Sequence, residues 1–167
     1  MQQILAYIQL TKPGVTFGNV LTAMAGYLVA VSGSFSFIVF VALYIGMTMV
    51  ISAACAMNNV LDRDIDKKMT RTKNRPSVQG YISVSDMTIF AILLLILGST
   101  MLYVFTNILT VLIGIVGFVT YVWLYGAWTK RNSVHGTAVG AVSGALPALG
   151  GYVAATNSLD IGALIVF

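Results

Sequence analysis

Three oxygen-bearing side chains, Asn58, Asp62 and Asp66, stand four residues apart. Side chains at that spacing share one face of an α-helix, with neighbours about 6 Å apart and the whole row about 12 Å long. The segment NNVLDRDID contains no helix breaker, so the spacing predicts that the preceding apolar helix continues unbroken through Asp66. Oxygen donors in such a row suit Mg²⁺, a hard ion that takes a few carboxylate oxygens and completes its shell with water and phosphate oxygens. No Cys or His accompanies them, which argues against zinc. Arg63, Lys67 and Arg71 form a second row offset by one residue, with Lys73 and Arg75 beyond it. Acids that hold a metal beside bases that meet phosphate oxygens make a site for a diphosphate. There, neutralising the charge that grows on the leaving group lowers the barrier. The competing reading is a solvated helix at a membrane surface, with pairs such as Asp64 to Lys68 and basic side chains against anionic lipid. The scarcity of acids elsewhere in the chain favours the site.

The elements around this segment follow from where charge is missing. Nine of the 14 charged residues lie between Asp62 and Arg75, whereas Pro13 to Leu61, Met87 to Thr129 and Asn132 to Leu159 carry none. Each uncharged run exceeds the roughly 20 residues that cross a bilayer as a helix, so the chain reads as a polytopic membrane protein. At 58% hydrophobic and 8% charged, it is neither a soluble enzyme nor a disordered chain. The single cysteine, Cys55, excludes a disulfide-built domain. Met1 to Thr11 has no basic start, so no cleavable signal peptide is expected.

Small polar residues at Ser32-Gly33-Ser34, Thr106-Asn107 and Thr156-Asn157-Ser158 favour turns. They divide the chain into five spans, about Val15 to Val31, Phe35 to Met57, Met87 to Phe105, Leu109 to Trp128 and Ala138 to Ala155. Ile161 to Phe167 reads as the start of a sixth, and because a bilayer helix does not end in mid-membrane, the chain is expected to be part of a longer protein. All nine Lys and Arg residues then fall on one side. By the positive-inside rule the N-terminus and both basic loops are cytoplasmic.

The second basic loop offers Tyr125, Lys130, Arg131 and His135. Lys130 and Arg131 share a face with the acidic row, where they serve either as clamps for the same phosphate or as topology anchors alone. Gly136, Gly140 and Gly144 form a small-residue stripe that predicts a close helix approach, and Pro147 with Gly150-Gly151 predicts a bend.

Asn58-x3-Asp62-x3-Asp66 followed by Arg71-Thr72-Lys73-Asn74-Arg75-Pro76 resembles the first aspartate-rich motif of the membrane-embedded UbiA-type prenyltransferases. The longer string NNVLDRDIDKKMTRTKNRP is similar in particular to the protohaem IX farnesyltransferase branch. Tyr125 to Arg131, Ser133, Gly136-Thr137, Ser143-Gly144-Ala145-x-Pro147 and Gly150-Gly151-Tyr152 support the same resemblance, which covers nearly all of the chain from Lys12-Pro13.

The resemblance implies an all-α transmembrane bundle of about nine spans, of which residues 1–167 are a single, incomplete prenyltransferase domain. It implies a reaction in which farnesyl diphosphate ionises and a vinyl group of haem B captures the allylic cation. Water then adds, giving haem O and diphosphate. It assigns Mg²⁺ and diphosphate to Asn58, Asp62 and Asp66, and phosphate contacts to Arg71, Lys73, Arg75, Lys130 and Arg131. The setting implied is the cell inner membrane, with the lipid bilayer but no nucleic acid as partner. The family's second aspartate-rich motif lies beyond Phe167, so residues 1–167 alone are expected to be inactive. Aromatic acceptors such as 4-hydroxybenzoate or a naphthoate, and a non-enzymatic transporter or assembly subunit, are the alternatives. His135, the only histidine, suggests a haem ligand, but a lone loop histidine is more often a surface side chain.

Overall fold

The computed structural model describes residues 2–31, 33, 35–130 and 136–167, with no strand among the described residues. In chain order the elements are α1 (Gln2–Leu10), α2 (Pro13–Ala30), α3 (Phe37–Leu61), the single turns α4 (Arg63–Asp66) and α5 (Pro76–Gln79), and α6 (Val84–Phe105). They continue as α7 (Ile108–Thr129), α8 (Gly136–Thr156) and α9 (Ile161–Val166). The chain is a multi-pass membrane protein in which α3, α6, α7 and α8 are long and apolar enough to span a bilayer. α2, the first of the five expected spans, is shorter at 18 residues, about 27 Å of helix. It packs against α8 and α3.

The breaks fall where small polar residues stand, because those residues cap the helices. The Ser36 Oγ accepts from the Val39 N–H at 3.4 Å, Ser83 Oγ from Asp86 N–H at 3.0 Å, and Asn107 Oδ1 from Thr110 N–H at 2.9 Å. Asp160 Oδ1 does the same for Ala163 N–H at 3.1 Å.

α1 is a helix the sequence pattern did not suggest. It buries Ala6 and Leu10, stacks Tyr7 edge-on against Phe90 at 5.0 Å, and leaves Ile4, Leu5 and Ile8 exposed. The corner into α2 is fixed by one backbone conformation and two hydrogen bonds. Lys12 takes a left-handed conformation with φ 48°, Thr16 Oγ1 donates to the Thr11 carbonyl at 2.7 Å, and Asn59 Nδ2 donates to the Leu10 carbonyl at 2.8 Å. Pro13 follows at the first helical position, where its missing N–H costs nothing.

The core lies between α2, α3, α6 and α7, where Val20, Ala23, Tyr27, Leu43, Met47, Val50 and Leu102 are buried. Glycines set how closely the helices cross, but not the ones expected. A Cβ at Gly26 would collide with the Ala148 carbonyl, and one at Gly151 with the Ala23 carbonyl, so α2 and α8 touch backbone to backbone. A Cβ at Gly98 would stand 2.9 Å from the Gly46 carbonyl, which fixes the α3–α6 crossing. In the predicted stripe, Gly144 has nothing within 4 Å and Gly140 lies under the edge of Tyr125. These two open space beside α8, and the close approach has moved to Gly151. Pro147 is carried within α8 without ending the helix.

Two substitutions separate these roles. Gly151→Ala is expected to lower the midpoint of thermal unfolding in detergent, by about 1–3 kcal/mol or more of overpacking. Gly18→Ala, with nothing within 4 Å of the added methyl, should raise it by about 0.5–1 kcal/mol through helix propensity.

Candidate functional site

The acidic row forms, but not on one continuous helix. α3 stops at Leu61, Asp62 turns the chain with φ −82° and ψ −1°, and α4 resumes at Arg63. The Ile65 N–H bonds to the Asp62 carbonyl at 3.0 Å, a tightened turn. The loop beyond pulls the chain off the α3 axis, since Arg63 Nε donates to the Ser77 carbonyl at 2.9 Å and Thr72 Oγ1 to the Asp66 carbonyl at 3.2 Å. The longer backbone bonds from Asp62 to Asn58 (2.9 Å) and from Asp66 to Asp62 (2.8 Å) persist, so the three side chains still share a side.

All three are buried, at 1%, 1% and 3% exposure for Asn58, Asp62 and Asp66. Each carboxylate has a cation. Lys130 Nζ lies 2.6 Å from Asp62 Oδ2, and Arg75 NH1 lies 2.6 Å from Asp66 Oδ2. Asn58 Nδ2 also donates to Asp62 Oδ2 at 3.0 Å. Asn58 Oδ1 and Asp62 Oδ1 remain, buried and without a hydrogen-bond partner among the described residues. Two such buried oxygens, one helical turn apart in sequence, are costly unless something electropositive meets them. They are hard donors of the kind Mg²⁺ takes, although no three His, Cys, Asp or Glu side chains among the described residues stand together as a set that could hold a metal ion.

Helix α7 brings Lys130 to this point by changing its winding. From Thr120 to Thr129 it is π-helical, and the Lys130 N–H reaches back five residues to the Tyr125 carbonyl. A π turn holds more residues than an α turn, so side chains beyond it are rotated away from where α periodicity would put them. Tyr121 and Tyr125 stack at 5.8 Å, and Gly126 faces Asn58. A Cβ at Gly126 would stand 2.6 Å from Asn58 Oδ1, so only glycine leaves room for that amide.

Lys12 is the site residue that sequence reasoning missed. Its ammonium lies within electrostatic reach of Cys55, Arg75, Asp62 and Lys130. Burial lowers its ammonium from the ordinary value, with Arg75 and Lys130 pushing the same way and Cys55 and Asp62 opposing. Its signal was available, since it is the only charged residue before Asp62. Of the other expected phosphate ligands, Arg75 and Lys130 meet the acidic row. Arg71 instead lines a neighbouring cavity, and Lys73 is exposed, with neither in an ion pair among the described residues. Arg131, Ser133 and His135 lie outside the described residues.

Two cavities adjoin the row. The first, of about 200 Å³, is mainly apolar and lies between α2, α3, α7 and α8, lined by Val15, Met47, Val50, Ile51, Ala54, Phe118, Leu146 and Pro147 among others. Its upper rim at Cys55 is three residues, about 4.5 Å along α3, from Asn58. Gly144 gives it width. The second, of about 300 Å³, carries polar side chains beside Leu10 and Pro76 and lies between the end of α1, α3 and residues 71–77.

A model of the UbiA prenyltransferase family matches residues 19–167. The chain is 46% identical over 160 residues to a protoheme IX farnesyltransferase of Pectobacterium atrosepticum, covering 96% of this chain and 54% of that protein. It is 48% identical over 158 residues to protoheme IX farnesyltransferase 2 of Pseudomonas putida, covering 95% and 54%. The chain thus spans about half the length of the curated relatives it matches. A UbiA homologue from Archaeoglobus fulgidus, solved with DMAPP and Mg²⁺, shares the fold with a TM-score of 0.81 at 18% identity, over 93% of this chain and 56% of that one. A digeranylgeranylglyceryl phosphate synthase shares it with a TM-score of 0.82 at 21% identity, over 92% and 54%.

Lys130→Met should destabilise the chain by about 1–3 kcal/mol, because it removes a partner from a buried carboxylate. Adding Asp62→Asn should recover part of that loss. Thermal unfolding of both single variants and the double variant measures the coupling, and strict additivity would contradict the pairing.

Proposed function

The chain belongs to the UbiA prenyltransferase family, and from that membership we propose that the whole protein is a protohaem IX farnesyltransferase. It moves the farnesyl group of farnesyl diphosphate onto a vinyl group of haem B, giving haem O and diphosphate on the route to the haems of terminal oxidases. The observation that carries this reading is the pair of partnerless buried oxygens, Asn58 Oδ1 and Asp62 Oδ1, set one helical turn from an apolar cavity and ringed by cations. The identity to farnesyltransferases at 46–48% supports the choice of haem B as acceptor.

Asn58, Asp62 and Asp66 would hold Mg²⁺, which when bound stabilises negative charge on the departing diphosphate. Lys130, Arg75 and Lys12 supply an excess of positive charge at the mouth. Lys130 and Arg75 each exchange part of a carboxylate contact for phosphate oxygens, which the 35% and 28% exposure of their side chains permits. The C–O bond of farnesyl diphosphate breaks, and diphosphate leaves with the bonding electrons into this cationic mouth. The apolar cavity sheathes the farnesyl chain and keeps water from the allylic cation. The terminal vinyl carbon of haem B forms the new C–C bond, and water adds at the adjacent carbon and loses a proton. By the positive-inside rule, the N-terminus and this mouth lie on the cytoplasmic side of the cell inner membrane.

The test is an assay of the whole protein in membranes with farnesyl diphosphate, Mg²⁺ and either haem B or 4-hydroxybenzoate. Haem O by mass spectrometry is the expected product, and Asp62→Asn is expected to cut its formation by about 100-fold or more. Conversion of 4-hydroxybenzoate in place of haem B would move the protein to the quinone branch. No prenyl product from either would overturn the reading.

A further inference from the structure

The second cavity plays no part in the chemistry above except through Arg75, and its lining sets polar side chains beside Leu10 and Pro76. Arg71 and Arg75 are joined there by the amides of Gln9, Asn59 and Asn74 and by Ser77, with no acid among the lining residues. Ser77 is fully buried, and its Oγ has no hydrogen-bond partner among the described residues. The Ser77 backbone is nonetheless held firmly, because Arg63 Nε donates to its carbonyl at 2.9 Å. A buried hydroxyl left unmade is unfavourable, so its position calls for an acceptor arriving from outside. Arg71 presents a planar fork of donors that matches a planar oxyanion. Asn59 already donates to the Leu10 and Cys55 carbonyls and Arg75 gives one guanidinium nitrogen to Asp66, so the donors offered to an oxyanion come chiefly from Arg71, Gln9, Asn74 and the Ser77 hydroxyl.

The pocket's place relative to α3 suggests whose oxyanion it takes. Asn58 faces Gly126 of α7, while Asn59, the next residue, lines this pocket and holds the α1–α2 corner. Cys55 lines the apolar cavity and Asn59, one turn further along α3, lines this pocket, so the two cavities adjoin at the same end of the helix, with Arg75 bridging between Asp66 and the pocket. We propose that this pocket takes a carboxylate of the prenyl acceptor, a proposal that rests on the acceptor reading given under Proposed function. Haem B carries propionates on the edge of the porphyrin away from its vinyl groups. Holding a propionate here would orient a vinyl group towards the acidic row.

The whole protein, in nanodiscs of neutral lipid, is titrated with haem B and with its dimethyl ester, in which both carboxylates are masked, and the Soret band is followed. The ester should bind about tenfold more weakly than the free acid. Arg71→Gln and Ser77→Ala should each lower the free acid towards the affinity of the ester and leave the ester unchanged. Ser77→Ala should not lower thermal stability, because the hydroxyl has no partner to lose. Equal binding of acid and ester, or discrimination that survives both substitutions, would overturn the proposal. So would discrimination that disappears once anionic lipid is added, which would assign the pocket to lipid phosphate. Mg²⁺-dependent binding of farnesyl diphosphate in the same nanodiscs separates the two levels. If it persists while acid and ester bind alike, the pocket assignment alone fails. If it is absent, the functional reading beneath it fails as well.

Discussion

Asp62 and Asp66 bring two carboxylates to the end of an apolar bundle, where they are 1% and 3% exposed. Ionised carboxylates buried without compensation are among the most expensive groups a fold can carry. Much of the local structure supplies that compensation. The π winding of α7 sets Lys130 over Asp62, and the fold of residues 67–75 returns Arg75 to Asp66. The break of α3 at Asp62 lets that loop turn back, anchored by Arg63 on Ser77 and Thr72 on Asp66. Gly126 yields the space in which the Asn58 amide supports Asp62. The compensation is nevertheless incomplete, since one oxygen of Asp62 and one of Asn58 remain without partners. A purely structural ion-pair network would gain by satisfying them, whereas a site that receives a cation keeps them free.

The cavity extends that logic from charge to substrate. α2 and α8 touch backbone to backbone at Gly26 and Gly151, but Gly140 and Gly144 hold no such contact. The helix pair therefore closes at one end and stays open at the other, and the opening lies beside the acidic row. An apolar chain fits that opening, and a charged head fits the mouth. On the proposed reading this division lets an allylic cation form beside cationic side chains while water stays out.

Much of this was legible in the residues themselves. Runs without charge marked the spans, and Ser36, Ser83, Asn107 and Asp160 capped helices near the expected breaks. The four-residue spacing of Asn58, Asp62 and Asp66 placed them on one side, because backbone bonding kept its period even though the helix broke. What stayed hidden depends on winding and on distant partners. Nothing in TYVWLYGAWT announces a π-helix, and α periodicity would aim Gly126 and Lys130 elsewhere. The glycine stripe of α8 had the spacing of a packing seam, but whether a partner helix fills it is a tertiary fact. Lys12 looked like a topology anchor because its neighbours Asp62 and Arg75 are fifty or more residues away in sequence. α1 escaped notice because nine residues of mixed polarity hold a helix only by docking on α3 and α6.

The central claim is that the free oxygens of Asn58 and Asp62 await a divalent ion that arrives with a diphosphate. Electron paramagnetic resonance of the whole protein in nanodiscs, with Mn²⁺ in place of Mg²⁺, tests this most directly. Bound Mn²⁺ is expected only when farnesyl diphosphate is present, with the bound signal lost in Asp62→Asn. A bound signal that ignores the diphosphate, or that survives Asp62→Asn unchanged, would contradict the claim.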